Sequence, residues 1–461
     1  MTTSRRDFLK KAGAGSALLT MGSATAGSVL TSCTSSDTGK VKYTRLRPEN
    51  ELYIPELPDK AIDGKPVRAA LIGCGGRGTG AAVNFLDAGD NLSIVALADM
   101  FPDKIESCRS LLKKEKGVDV PDNACFTGFD AFRKVCGLPV DLVLIASPNI
   151  FHPEHAKYAV EQGKHVFVEK PAAIDPVGYR TFITTLRQAK TKGLNVMNGA
   201  QYHWDRPFVE SYQMIQAGYI GKILSGKAYY NTANENFLRR RPEWSDVEYM
   251  IRSFFNWNWI NGDQISNMLI HWIDVFLWLT NLKPVKVSAY GSRIRRTAGN
   301  VYDNFSMDFE LEGGVNLFGM VRRMDGTDNM RGAVIQGEKG VWNSDDFSIR
   351  DLEGNLVWQF DAKASKENFK THDMYTLEHI DLVNHIRKGT VLDITEINAT
   401  SAMAAIMARE SAYSGRIVTW DNMVASDLNL MPTEFASGQF GKMDMEKYET
   451  IPLPGIRWKT D

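Results

Sequence analysis

The chain has 461 residues, 43% hydrophobic and 24% charged, with a formal net charge of -1. That balance belongs to a folded protein of more than one domain and excludes a disordered chain. Near-neutral charge, without a basic helix or an aromatic–basic array, argues against a nucleic-acid partner.

The first segment reads as a leader. Ser4-Arg5-Arg6-Asp7-Phe8-Leu9-Lys10 is a twin-arginine pattern, followed by an Ala/Gly/Leu stretch from Ala12 to Leu30. That stretch is too rich in small residues for a membrane-spanning helix. Leu30-Thr31-Ser32-Cys33 resembles a lipobox, and Ala24-Thr25-Ala26 an ordinary cleavage site. The polar run after Cys33 favours the lipobox. The expectation is twin-arginine export to the periplasm, with membrane attachment only through a lipid on Cys33. Residues 1–33 are therefore set apart from the fold, and the polar, proline-dotted residues 34–65 read as a linker or surface arm. The five cysteines, Cys33, Cys74, Cys108, Cys125 and Cys136, show no metal-ligand spacing, so no metal is expected and free thiols are the simpler reading.

The stretch from Val67 to Asp99 organises the rest of the chain. Val67 to Ile72 is a short apolar run bounded by glycine, hence a buried strand. Gly73, Gly75 and Gly78 then form G-x-G-x-x-G ahead of a helix, with Gly76 and Arg77 inside the turn. A second apolar run, Leu92 to Ala98, ends in Asp99. Strand, glycines, helix, strand and terminal acid in this order form the dinucleotide-binding fingerprint. Gly73 makes the tight turn, Gly75 admits the pyrophosphate and Gly78 lets helix and strand pack closely. Helix-start N–H groups hold the phosphates. Asp99 accepts hydrogen bonds from a ribose and repels a 2′-phosphate, so NAD is expected over NADP.

Strand–helix alternation continues, as in a doubly wound parallel sheet. Val140–Ser147 is a third strand, and its exit, Ser147-Pro148-Asn149 with His152, lies at the edge where ligands bind. A helix spans His152–Gln162. Lys164–Val168 is a strand ending in Glu169-Lys170-Pro171, Phe182–Lys192 a helix and Leu194–Asn198 a strand. This Rossmann domain is set at 66–200. Arg206–Gly218 then reads as a helix, and Tyr229–Trp259 as a tract crowded with aromatics and arginines. Ile265–Leu279 reads as a buried helix. Runs at Val285–Tyr290, Asn304–Leu311, Gly314–Val321, Arg331–Gly337 and Leu356–Phe360 suggest a largely antiparallel sheet. Tyr375–Arg387 and Ala399–Ser411 close as amphipathic helices. The second domain is set at 201–420, and the tail, 421–461, carries no usable periodicity.

The glycine fingerprint, Glu169-Lys170-Pro171, and His271 with Asp274 on the aromatic helix resemble the Gfo/Idh/MocA oxidoreductases, named for glucose-fructose oxidoreductase and inositol dehydrogenase. The resemblance runs from about Val67 to Trp420 and takes in Tyr302-Asp303-Asn304-Phe305 and Glu378-His379. It implies an α/β fold, a Rossmann domain followed by an α/β domain on an open, mostly antiparallel sheet, with the nicotinamide at the edge between them. It also implies that Lys170 touches the nicotinamide ribose and the substrate hydroxyl, and that His271 is the general base. Asn267 lies four residues before His271, on the same helical face. Family members commonly carry an acid there, and Asn267 can orient but cannot carry a proton. Asp274 reads as an orienting or structural group. Tyr202, His203 and Arg206 follow the last Rossmann strand with Gln201 and are expected at the substrate, although many members carry arginine near His203. Tyr229, Tyr230, Asn234 and Asn236 have the chemistry of a sugar pocket or of an interface between domains. Arg239-Arg240-Arg241 reads most simply as a solvated or interfacial charge run.

Export would remove the protein from a free NAD pool, so the cofactor must be held tightly and regenerated in place. The expected activity is hydride transfer at a secondary hydroxyl of a sugar or glycoside, preferably at C3 of a pyranoside, readying it for a partner glycoside-cleaving enzyme. The alternative is a redox-neutral, NAD-dependent glycoside hydrolase like the exported α-N-acetylgalactosaminidases, which the leader and Gly75-Gly76-Arg77-Gly78 resemble. Those enzymes often alter the Glu-Lys-Pro tripeptide, which is intact here. A non-catalytic sugar-binding lipoprotein is the third reading. Open sheet faces in the family often pair, so a homo-oligomer is expected.

Overall fold

The computed structural model describes residues 43–233, 238–392, 395–433 and 443–455. The leader with Cys33, and Asn234 and Asn236, lie outside the described residues.

The first sheet contains six parallel strands: β1 (Val67–Ile72), β2 (Leu92–Asp99), β3 (Cys125–Thr127), β4 (Leu142–Ile145), β5 (His165–Glu169) and β6 (Val196–Gly199). Their spatial order is β3-β2-β1-β4-β5-β6. β1 and β4 are buried along almost their whole length, as expected for strands covered by helices on both faces. The order reverses between β1 and β4, so the exits of these two strands flank the crevice of the sheet. Sequence reading passes over β3, whose three residues are not fully buried and give no apolar run.

The second sheet has nine strands. They are β7 (Ile223–Thr232), β8 (Pro284–Ser292), β9 (Asn304–Leu311), β10 (Val315–Arg323), β11 (Met330–Gly337), β12 (Gly340–Asn343), β13 (Ser348–Asp351), β14 (Leu356–Gln359) and β15 (Val418–Thr419). The order is β14-β13-β12-β11-β7-β10-β9-β8-β15, and only β7 with β10 is a parallel pair. The central strand β7 is absent from the sequence expectation, which joins its second half to the aromatic tract. Gly226 explains part of this. It interrupts the apolar alternation, and a Cβ there would collide with the Phe276 ring. The helix under the sheet therefore needs a position without a side chain.

That helix, Ile270–Thr280, is almost wholly buried and apolar apart from His271, Asp274 and the terminal Thr280. Its entry turn, Ile265–Leu269, is a π-helix, an interruption that recurs at functional sites.

Two long-range packings tie the halves together. Helix Met374–Lys388 buries Leu377, Ile380 and Val383 in the same core as Leu71 and Phe85 of the first domain. Asp381 on that helix accepts hydrogen bonds from Tyr53 at 2.5 Å and Trp204 at 2.8 Å. The arm from residue 43 thus runs along the surface with Leu46, Leu52 and Ile54 packed onto the core.

Candidate functional site

The exit of β1 is shaped by glycine at two points. Gly73 has φ +93°, and a Cβ on it would lie 2.5 Å from the Ala146 carbonyl carbon. A Cβ on Gly78 would collide with the Gly73 carbonyl oxygen. Gly75 and Gly76, by contrast, would carry a Cβ into open space. The loop is thus tight toward the sheet and bare toward the crevice. Helix Gly76–Asp87 begins here without a side-chain cap, so its first N–H groups face that space and suit a diphosphate. Asp99 Oδ2 accepts from the Cys74 N–H at 2.7 Å and Oδ1 from the Phe101 N–H at 2.9 Å. Those bonds fix the carboxylate at the crevice with lone pairs to spare for a ribose. Burial pushes its pKa up.

The turn after β4 forms the opposite lip. His152 is buried, its Nδ1 2.8 Å from the Pro171 oxygen and its Nε2 2.7 Å from the Ser147 oxygen. Burial nevertheless lowers its pKa, and it serves as a strut between two cavity-lining turns. Ser147 Oγ lies 3.0 Å from His155 Nδ1. The Asn149 amide donates to the Asn261 carbonyl at 2.9 Å, crossing to the second domain.

One cavity of about 970 Å³ joins these groups to the second domain. Its wall includes Gly73, Gly75, Gly76, Arg77, Gly78 and Asp99 at one end, and Glu169, Lys170, Asn267 and His271 at the other; Ser147, Pro148, Asn149 and His152 lie along it. Arg77 links the ends. Its Nε lies 2.9 Å from Glu169 Oε1, and its guanidinium sits 4.4 Å from the Tyr375 ring centroid. Glu169 is buried, and desolvation raises its pKa despite that cation. Behind the turn, burial and the neighbouring Glu169 raise Glu378 well above the ordinary carboxyl range. Desolvation thus favours the protonated form of Glu378 in the core.

Lys170 closes β5. Its ammonium donates to the Asn267 carbonyl at 2.7 Å, and burial lowers its pKa to about 8. His271 is pushed well below the ordinary imidazole value by burial, with the charges of Lys170 and Arg331 acting the same way. The ring is therefore neutral at physiological pH. Gln201 Nε2 lies 3.4 Å from His271 Nδ1, a long contact in which the amide donates. With the amide donating, Nδ1 accepts and the proton of the neutral ring sits on Nε2. Among the described residues no three His, Cys, Asp or Glu side chains converge to hold a metal ion.

Two expected substrate residues lie elsewhere. His203 is fully buried, with Nε2 2.7 Å from Asp274 Oδ2 and its ring stacked 4.1 Å from Trp278. Ser401 Oγ donates to the other Asp274 oxygen at 2.7 Å. Asp274 thus orients His203 rather than His271, because the helix turns it away from the cavity. Arg206 donates to the Leu57 and Thr371 carbonyls at 2.7 and 3.2 Å and stacks 3.6 Å from Phe369. It pins the arm and does not line the cavity. Tyr202 and Tyr230 flank the His271 ring at centroid distances of 5.8 and 6.5 Å; neither lines the large cavity, and Tyr202 borders a small pocket with Lys170 and His271. Tyr229 reaches toward Asp345, 3.4 Å away.

Sequence reasoning misses the wall contributed by Ile251, Arg252, Phe254, Phe255 and Met431. The aromatic density around Phe254-Phe255 is the available signal, but nothing local indicates that it folds onto the first domain.

Residues 67–199 match the family model described as an oxidoreductase family with an NAD-binding Rossmann fold. Residues 208–343 match the C-terminal domain model of the same family, and together the two cover more than half the chain. The chain is 29% identical over 194 residues to glycosyl hydrolase family 109 protein 1 of Bacteroides fragilis (42% of this chain, 40% of that one). It is 30% identical over 190 residues to a glycosyl hydrolase family 109 protein of Solibacter usitatus (40% and 42%). These matches span about two fifths of the curated relatives' length. Among solved structures, scyllo-inositol dehydrogenase from Lactobacillus casei with NAD(H) and scyllo-inositol superposes with a TM-score of 0.58 at 21% identity. That match covers 77% of this chain and 99% of that one. Levoglucosan dehydrogenase with NADH and L-sorbose gives 0.59 at 19% identity, with 77% and 99% covered. The matched models and the shared fold lead to one conclusion: the chain is a member of the Gfo/Idh/MocA oxidoreductase family, with an NAD-binding Rossmann domain.

Proposed function

We propose that the protein is an exported oxidoreductase holding NAD(H) tightly, which oxidises a secondary hydroxyl of a sugar or glycoside, preferably at C3 of a pyranoside. The observation that carries this reading is the continuous cavity from the glycine turn to Lys170 and His271. The bound dinucleotide would supply a hydride acceptor at that far end. Every other task falls to the chain. Lys170 accepts the hydroxyl proton, since an amine with a pKa of about 8 has a sizeable neutral fraction near neutrality. His271 Nε2–H donates a hydrogen bond to the same oxygen or its neighbour, and Asn267 orients the substrate from one turn away. The low basicity of His271 assigns proton acceptance to Lys170, reversing the order of roles that the resemblance implies.

A second reading shares the first step. Oxidation at C3 acidifies the neighbouring C–H bond, and elimination, water addition and reduction in the same site would make the protein a redox-neutral glycoside hydrolase. The names of its curated relatives favour this; the intact Glu169-Lys170-Pro171 favours the oxidoreductase. In either case twin-arginine export, a lipid on Cys33 and a homo-oligomer formed through the open sheet complete the proposal. A partner glycosidase belongs to the first reading only.

The test begins with protein purified without added cofactor, denatured, and assayed for released nucleotide. Native protein is then incubated with aryl glucosides and galactosides. Keto-glycoside formed only with an added carbonyl acceptor supports the oxidoreductase. Free aglycone without net redox change supports the hydrolase. Neither product from any glycoside would overturn both.

A further inference from the structure

Beyond Asp99 the cavity is walled by both domains: Phe101 and Lys104 from the first, Ile251, Arg252 and Phe254 from the second. Arg252 ends helix Asp246–Arg252, and Asp103 lies in the first turn of helix Pro102–Lys116, shortly after Asp99 and Phe101. The two side chains meet as a fork. Arg252 Nη1 donates to Asp103 Oδ2 at 3.0 Å and Nη2 to Oδ1 at 2.7 Å. Arg252 Nε donates to Glu248 Oε1 at 2.8 Å, and its guanidinium lies 3.9 Å from the Phe101 ring centroid. Only 14% of the Arg252 side chain is exposed.

We propose that Arg252 is a cofactor-retaining residue: its fork to Asp103 ties the second domain across the adenosine end of the dinucleotide site, and release requires that tie to open. The proposal rests on the tightly held cofactor proposed above and names what holds it. Paired charge-assisted bonds fix both angle and distance, and stacking on Phe101 adds a second contact to the same tie. Breaking the fork separates Ile251 and Phe254 from Phe101, opening the cavity at the end where the ribose and base must leave. Two acids already meet this one guanidinium, so its charge is compensated and does not recruit a 2′-phosphate against Asp99. The Asp103 side chain is 56% exposed, so salt screens the tie and should hasten release.

The experiment measures NAD dissociation from the full-length protein, trapped with excess labelled NAD. It compares wild type, Arg252→Ala, Arg252→Lys and Asp103→Asn. Lys113→Ala, which removes the 2.8 Å ion pair to Asp119 near the far end of the Asp103 helix, is the control. Release is expected to be about tenfold faster in Arg252→Ala and Asp103→Asn, as befits one forked pair at a partly exposed site. Arg252→Lys should fall between, keeping charge without the fork, and Lys113→Ala should match wild type. Asp103→Asn is isosteric and largely solvent-facing, so it separates loss of the tie from loss of the fold. Slow release at one rate from wild type, Arg252→Ala and Asp103→Asn would overturn the proposal alone. A wild type that exchanges NAD within the mixing time would overturn tight retention and the proposal with it.

Discussion

At the nucleotide end of the cavity the wall around the glycine turn is largely backbone, at Gly73, Gly75, Gly76 and Gly78, with Asp99 held by two backbone N–H groups and the side chains of Phe101, Lys104 and Arg252 standing beyond it. At the other end it is side chains from distant segments, with Lys170 on the Asn267 carbonyl and His271 beside Gln201. The first end gains specificity from steric exclusion, since a Cβ at Gly73 or Gly78 has nowhere to go. The second gains it from desolvation, which shifts the pKa values of Lys170 and His271 in the direction that favours their neutral forms. One end is therefore sensitive to volume and the other to charge.

Substitutions should separate the two. Gly78→Ala drives a methyl group against the Gly73 carbonyl. It should reduce NAD retained after gel filtration by about 10²-fold, since each 1.4 kcal/mol of lost binding is about tenfold. Lys170→Ala should leave retained NAD unchanged but cut turnover by about 10²–10⁴, the range for a positioned acid or base. Loss of nucleotide in this variant would break the division between the ends. The wild-type rate at saturating substrate should rise as pH passes through about 8, because the neutral amine is the proposed proton acceptor and its fraction grows with pH. A profile flat from about pH 7 to 9 would remove Lys170 from that role. Asp99→Asn should weaken NAD binding about tenfold and narrow its margin over NADP, read by competition between the two nucleotides. His203→Ala should change turnover least. It strips a buried hydrogen bond from Asp274 and should cost about 1–3 kcal/mol in denaturant unfolding.

The two ends also differ in how far the sequence discloses them. Gly73 to Asp99 sits within one strand–helix–strand unit, so spacing and apolar runs suffice to place the nucleotide end. The Rossmann strands β1, β2, β4 and β5 are legible for the same reason. His203 and Arg206 follow β6 closely in sequence yet turn away from the cavity, because each is claimed by a distant group: Asp274 for one, the Leu57 carbonyl for the other. Arg252 and Met431 enter the wall from far along the chain, and no local pattern records where they fold. Asn267 and His271 are four apart and both line the cavity, although the turn that carries Asn267 is a π-helix that periodicity does not reveal.

Helix Met374–Lys388, which seats Leu377 and Ile380 behind the glycine turn, bears on the order of assembly. The nucleotide-binding half is synthesised first, yet its core is completed by a helix that emerges only after nearly all of the second domain's sheet. Until then the surface awaiting that helix is apolar and open, and its closure is a contact of high sequence separation, slow by its loop entropy. A chain interrupted before residue 374 would therefore hold an intact glycine turn on an unfinished foundation, exposed to aggregation during the interval.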